Sequence, residues 1–195
     1  MAATATATAT LPQTGVWDLD PTHSSLEFSA RHLMATRVRG RFSDWTATLT
    51  TGSAPGDAQV EAEVKVGSVT TFNEGRDKHL RTSDFFDVDN HPTMTFRSTG
   101  VGELRDDNHF ELRGELTARG VTKPVTVDAE FLGALQDPFG NTKVTFSATA
   151  ELDRDAWGIS WNQPLQNGGL LVSKTIKVEV EAQFVLRKDA AQQSQ

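Results

Sequence analysis

The chain contains no cysteine. Disulfides, thiolate metal ligands and cysteine nucleophiles are therefore excluded together. No lysine or arginine precedes Arg31, and the small residues of MAATATATATLPQTG never gather into an apolar run. A secretory signal needs both a basic start and an apolar stretch. No segment approaches the apolar length that would cross a bilayer. These absences predict a cytoplasmic protein: one domain over residues 16–187, a disordered Ala/Thr-rich leader over 1–15 and a disordered polar tail over 188–195. A basic excess is also missing, since the net charge is −7. That argues against a nucleic-acid partner, which calls for a phosphate-neutralising face, and against docking on an anionic membrane by charge alone. There is no G-x-S-x-G nucleophile elbow. The histidines are His23, His32, His79, His91 and His109. No two of them have helical i,i+4 spacing, so no metal site is expected.

What is present is alternation. Apolar and polar residues exchange places with period two through Leu26–Arg31, Val60–Val66, Phe110–Leu116, Val125–Phe131, Val144–Leu152 and Ile176–Leu186. That is the pattern of half-buried strands. Val38–Thr50 and Thr93–Thr99 also read as extended. HLMATR (32–37) breaks the pattern and reads as a turn of helix. TGSAPGD, the charged stretch Glu103–Asn108, TARG and DPFGN read as turns. Asp153–Gly169, carrying Trp157 and Trp161, reads as an irregular excursion.

Thr71–Pro92 is the one long segment without alternation. It reads as a short helix capped by Asn73 and an aromatic arm, a lid over about residues 73–86. Glu74–Lys78 and Asp77–Arg81 stand at i,i+4 with the acid first, as self-paired charges on a solvated helix face.

About eight antiparallel strands with one apolar face each, and almost no helix to cover them, must cover one another as a closed barrel or a sandwich. The inward set includes Ala30, Ala62, Gly114, Ala129, Ala148, Ala150 and Ala182. Residues this small leave volume unfilled in a barrel, or mark where two sheets meet in a flattened sandwich. In a barrel, Phe28, Ala30, Phe42, Val64, Phe96, Leu112, Val127, Ala129, Phe146, Ala148, Val180 and Phe184 would line the lumen.

Several motifs then follow in order: Asp20-Pro21-Thr22-His23-Ser24, Gly40-Arg41-Phe42, Arg76-Asp77-Lys78-His79-Leu80-Arg81 running on through Asp84-Phe85-Phe86 to Pro92, Phe96-Arg97-Ser98-Thr99, Gly114-Glu115-Leu116-Thr117, Gly120 to Val125, and Arg154 with Trp157-Gly158-Ile159. With these the chain resembles the YceI-like family from Trp17 to Leu186. The resemblance implies an all-β, eight-stranded antiparallel lipocalin-like barrel. Its apolar pore would hold a long isoprenoid chain such as a polyprenyl or quinone tail, with no metal, no cofactor and no settled enzymatic activity. The rival readings are a filled barrel that works as an interaction or stress module without a ligand, and an enzyme that turns over a hydrophobic substrate with His23 or His79 as acid/base. It leaves room for a homodimer. Many relatives are periplasmic, and this chain departs from them in showing no signal.

At the mouth and lid the candidates are Arg76, His79, Phe85, Phe86, Trp157 and Trp161. Arg76 and His79 would meet a polar head group, or else Arg76 would pair with a carboxylate such as Asp84 and pin the lid. Phe85 and Phe86 read as apolar plugs beneath it. Trp157 and Trp161 read as lining or plugging the opposite end. His23 beside Ser24 invites a catalytic reading, but neighbours on a strand face opposite ways. Their expected role is to fix the start of the first long strand by side-chain hydrogen bonds.

Overall fold

The computed structural model describes residues 12–105, 108–166 and 168–188. Most of the expected leader and tail lies outside these. The part of the leader that is described is tied to the barrel: Thr51 Oγ1 donates to the Gln13 carbonyl at 2.6 Å and Thr14 Oγ1 donates to Gly52 at 3.0 Å.

The chain forms strands β1 (Gly15–Leu19), β2 (Ser25–His32), β3 (Thr36–Phe42), β4 (Trp45–Thr51), β5 (Gln59–Lys65), β6 (Val69–Thr70), β7 (Thr93–Leu104), β8 (His109–Ala118), β9 (Val121–Gln136), β10 (Thr142–Asp153) and β11 (Thr175–Leu186), with helix α1 (Glu74–Arg81) between β6 and β7. Every ladder is antiparallel. β1 and β2 both lie along β11, at Trp17↔Leu186 and Phe28↔Val178. β1 also pairs with β4 and β2 with β3, while β4 pairs with β5 and β3 with β6. Three staves are thus each broken into two segments. Among the described residues eleven strands make a closed eight-stranded barrel in simple up-and-down order, sealed where β11 meets β1 and β2.

Each break has a local cause. Between β1 and β2, Asp20 caps a single 3-10 turn. Its carboxylate accepts from the Thr22 amide at 3.1 Å and Lys143 Nζ at 3.1 Å, and lies 2.9 Å from His23 Nδ1. Ser24 Oγ accepts from the Gln183 amide at 3.0 Å and fastens β2 to β11. Asp20-Pro21-Thr22-His23-Ser24 is therefore a joint, and neither His23 nor Ser24 reaches the lumen. The β3/β4 and β5/β6 breaks face each other across Ser68, whose hydroxyl accepts from the Asp44 amide at 3.1 Å and donates to the Lys65 carbonyl at 2.7 Å.

HLMATR is not a turn of helix. Leu33 and Met34 both have positive φ, 53° and 59°, and the Ala35 amide donates back to His32 at 3.1 Å. Two consecutive left-handed residues make the type I′ turn that suits the twist of a tight hairpin. The usual Asn-Gly signal is absent, so the pattern concealed it.

Candidate functional site: the lumen and its lid

The barrel encloses a cavity of about 760 Å³. The sheet has not flattened. Phe28, Ala30, Phe42, Val64, Phe96, Leu112, Val127, Ala129, Phe146, Ala148, Val180 and Phe184 all line it. So do Ala62, Ala150 and Ala182, where a larger side chain would fill the space. Gly114 was expected to leave volume too, but it does not: a Cβ there would overlap the Phe96 ring, which occupies the room. Gly40 serves Phe28, its cross-strand partner, in the same way.

One end of the barrel is closed by packing. Trp17 is fully buried and its indole N–H donates to Thr51 Oγ1 at 2.9 Å. Trp17 packs with Leu49, Val144 and Phe184. The Phe146 ring lies 5.2 Å from Phe131, 6.2 Å from Phe184 and 6.4 Å from Phe110, centroid to centroid. Sequence reading missed Trp17 as the end plug, because alternation marks a face and carries no signal of height along the barrel.

The other end carries α1, the arm after it and the excursion after β10. Asn73 caps the helix as expected, its side chain accepting from the Arg76 amide at 2.9 Å. Glu74 and Lys78 pair at 2.8 Å on the surface. Asp77 does not join that solvated face. It is buried and accepts from Thr70 Oγ1 at 3.0 Å, the Thr71 amide at 2.7 Å and Thr71 Oγ1 at 2.5 Å. Burial by itself would raise the Asp77 pKa. The hydrogen bonds from Thr71 and Thr70, with the charge of Arg81, outweigh burial and hold it below the usual carboxylate value. Arg81 donates to the carbonyls of Gly67 at 3.0 Å and Val69 at 2.7 Å. The lid is thus pinned to the strand ends by Asp77 and Arg81.

Arg76 does not pair with Asp84. Its guanidinium donates to Thr71 Oγ1 at 2.7 Å and to the Thr71 carbonyl at 3.0 Å, at the edge of the lumen. Asp84 instead lies 2.8 Å from His79 Nε2. Trp157 and Trp161 are on the lid side, not the opposite end. Trp161 stands edge-on to His79 at 4.8 Å and tilted to Phe85 at 5.3 Å, while His79 and Phe85 meet at 5.0 Å. Three rings from two separate segments close one cage. Trp157 is buried beside Phe85, Ala118 and Ile159, and its indole N–H donates to the Leu116 carbonyl at 3.1 Å. Phe86 packs beneath the lid, edge-on to Phe42 at 5.7 Å. All six of these candidates, Arg76, His79, Phe85, Phe86, Trp157 and Trp161, line the lumen.

Arg154 lies under the same cage, only 5% exposed. It donates to the Ile159 carbonyl and, at 3.1 Å, to that of Ser173, and its guanidinium sits 6.0 Å from the Phe85 ring centre. Burial lowers its pKa, with Asp155 and Asp153 opposing. It clamps the excursion against the barrel. Among the described residues no three histidine or carboxylate side chains gather as a metal site, and no helix is long and apolar enough to cross a membrane.

A family model described as the YceI-like domain matches residues 17–184. A UPF0312 protein of Staphylococcus aureus strain USA300 is 34% identical over 168 residues, which span 85% of this chain and 94% of that protein. Among solved structures, the Campylobacter jejuni YceI protein superposes with a TM-score of 0.69 at 27% identity, over 81% of this chain and 90% of that one. Burkholderia cenocepacia BcnA gives 0.72 at 18% identity over 85% and 99%. A polyisoprenoid binding domain from Saccharophagus degradans gives 0.66 at 15% identity over 88% and 98%. The last two likenesses are of fold.

Proposed function

The chain belongs to the YceI-like family, and from that premise we propose that its lumen holds a long-chain isoprenoid lipid, a polyprenyl or quinone tail, which it stores or carries without chemical change. The observation that carries this reading is the apolar cavity of about 760 Å³, within the range of small-molecule sites. The inward positions of the strands are apolar, and Arg76, His79 and Arg154 stand at the lid end. A solved neighbour is described as a polyisoprenoid binding domain, which agrees in kind.

The energetics favour a chain as guest. Unfilled apolar volume forfeits packing contacts, at about 24 cal/mol per Å³ for small core cavities, so a guest that fills the lumen is favoured. Each five-carbon unit that fills it contributes up to roughly 4 kcal/mol gross, against about 4–15 kcal/mol for association. Three or four buried units are then enough for useful affinity, and selectivity is set by chain length rather than by head group.

The test is native mass spectrometry of freshly purified protein, followed by organic extraction and binding of purified isoprenoids. A co-purifying isoprenoid and much tighter binding of a C40 than a C10 chain are expected. Equal binding of the two would sink the reading.

A further inference from the structure

The overall charge of −7 conceals an uneven distribution. Most cations on the barrel wall have a carboxylate beside them: Arg97 with Glu61, Arg105 with Asp128, Arg113 with Glu111, Lys177 with Glu179, Arg187 with Asp18. The β2–β3 hairpin differs. Arg31, Arg37, Arg39 and Arg41 are all exposed, and among the described residues none of them forms an ion pair. Arg31 and Arg37 face each other across the strands, and Arg41 stands opposite Glu27. Glu179, whose carboxylate feels the charges of Arg37 and Arg39, is held by Lys177 at 2.8 Å.

At the tip of this hairpin are Leu33 and Met34, 48% and 55% exposed. Both hold positive φ, a conformation that Asn and Gly adopt at less cost. Two large apolar residues thus occupy solvent-exposed positions that their own backbone disfavours. The tip also adjoins the mouth: the Leu33 amide donates to Leu171 at 2.8 Å and His32 bridges to Val172, and Leu171 and Val172 line the lumen. At the inner end of the arginine row, Arg41 lies 5.4 Å over Phe72, itself 75% exposed.

We infer that the β2–β3 hairpin docks the protein on an anionic lipid bilayer, Leu33 and Met34 inserting at the boundary between head groups and acyl chains while Arg31, Arg37 and Arg39 sit among the lipid phosphates. Apolar side chains next to a row of guanidinium groups that carry no ion pair are what such a surface takes up. A nucleic acid would use the arginines and leave the apolar tip idle. Docked this way, the lid end meets the membrane and the plugged end faces away, so a lipid passes between bilayer and lumen without crossing water. The docking holds whichever lipid the lumen contains.

The full chain is sedimented with vesicles of phosphatidylcholine alone and of phosphatidylcholine mixed with phosphatidylglycerol. Binding to the mixed vesicles is expected, weakening with salt. R37Q/R39Q should lower the partition coefficient about 25-fold, at about fivefold for each arginine near the surface. L33N/M34G installs the preferred turn, so it should keep or raise the melting temperature while binding falls at least tenfold. F139A, which trims the most exposed aromatic at the far end (86%), should change nothing. The inference is overturned if neither vesicle binds, if both bind alike, if L33N/M34G binds like the parent, or if F139A is the variant that fails. Retention on a heparin column that survives L33N/M34G while vesicle binding is not seen would show a polyanion site instead. Organic extraction of the same preparations reports the lumen's contents separately, so an empty lumen and a failed docking are told apart.

Discussion

Asp77 illustrates what a single side chain decides here. Its carboxylate is buried under the lid with three hydrogen bonds from Thr70 and Thr71, and its pKa is lowered. A depressed folded pKa stabilises fully above the unfolded value, near pH 4, and that stabilisation is lost as pH falls through the folded value. D77N removes the charge that these donors require and should cost about 2–3 kcal/mol, read by urea unfolding at neutral pH. The difference between D77N and the parent should shrink below about pH 4, and a constant difference would refute this role. Gly114→Ala would drive a methyl into the Phe96 ring and the Arg97 carbonyl. It should cost about 1–3 kcal/mol as overpacking, and it should reduce lipid capacity as Phe96 is pushed inward. The i,i+4 spacing of Asp77 and Arg81 was legible as a helix signal. Their anchoring role was not, because the partners, Thr70, Thr71 and the carbonyls of Gly67 and Val69, precede the helix and meet it only after the chain has turned.

The lid works through elements that the sequence does not connect. His79 and Phe85 come from α1 and its arm, and Trp161 comes from the excursion after β10. Alternation identified the long strands well, because one face is buried and a register slip would expose it. It is silent about the excursion, which has no period, so alternation alone does not tell which end of the barrel Trp157 and Trp161 line. The same blindness hid the Leu33–Met34 turn. W161A opens the cage without touching the Asp77 and Arg81 anchors. Release of a bound fluorescent isoprenoid, followed by stopped flow, should quicken at least tenfold while the melting temperature of the lipid-free protein moves little. Unchanged release would assign closure to α1 alone.

For the molecule as a whole, the number of staves was legible, and so was a barrel with small residues inside. The division of three staves into six strands was not, since a joint such as Asp20–Ser24 interrupts hydrogen bonding without interrupting the direction of the chain. A lumen stabilised by its guest ties folding to loading. At free lipid a hundredfold above Kd the native state should gain about 2.7 kcal/mol, or roughly 5–10 °C in Tm for a chain of this size. Calorimetry before and after delipidation checks this. The closing seam has a further consequence, which belongs to synthesis. Among the described residues β1 and β11 are the first and last strands, joined by Arg187 and Asp18 across 169 positions of sequence. A growing chain must therefore carry an open, two-edged sheet until β11 has emerged. Until then no sealed lumen exists, and the nascent protein exposes to chaperones, or to its neighbours on a polysome, the same apolar face that the finished barrel reserves for its guest.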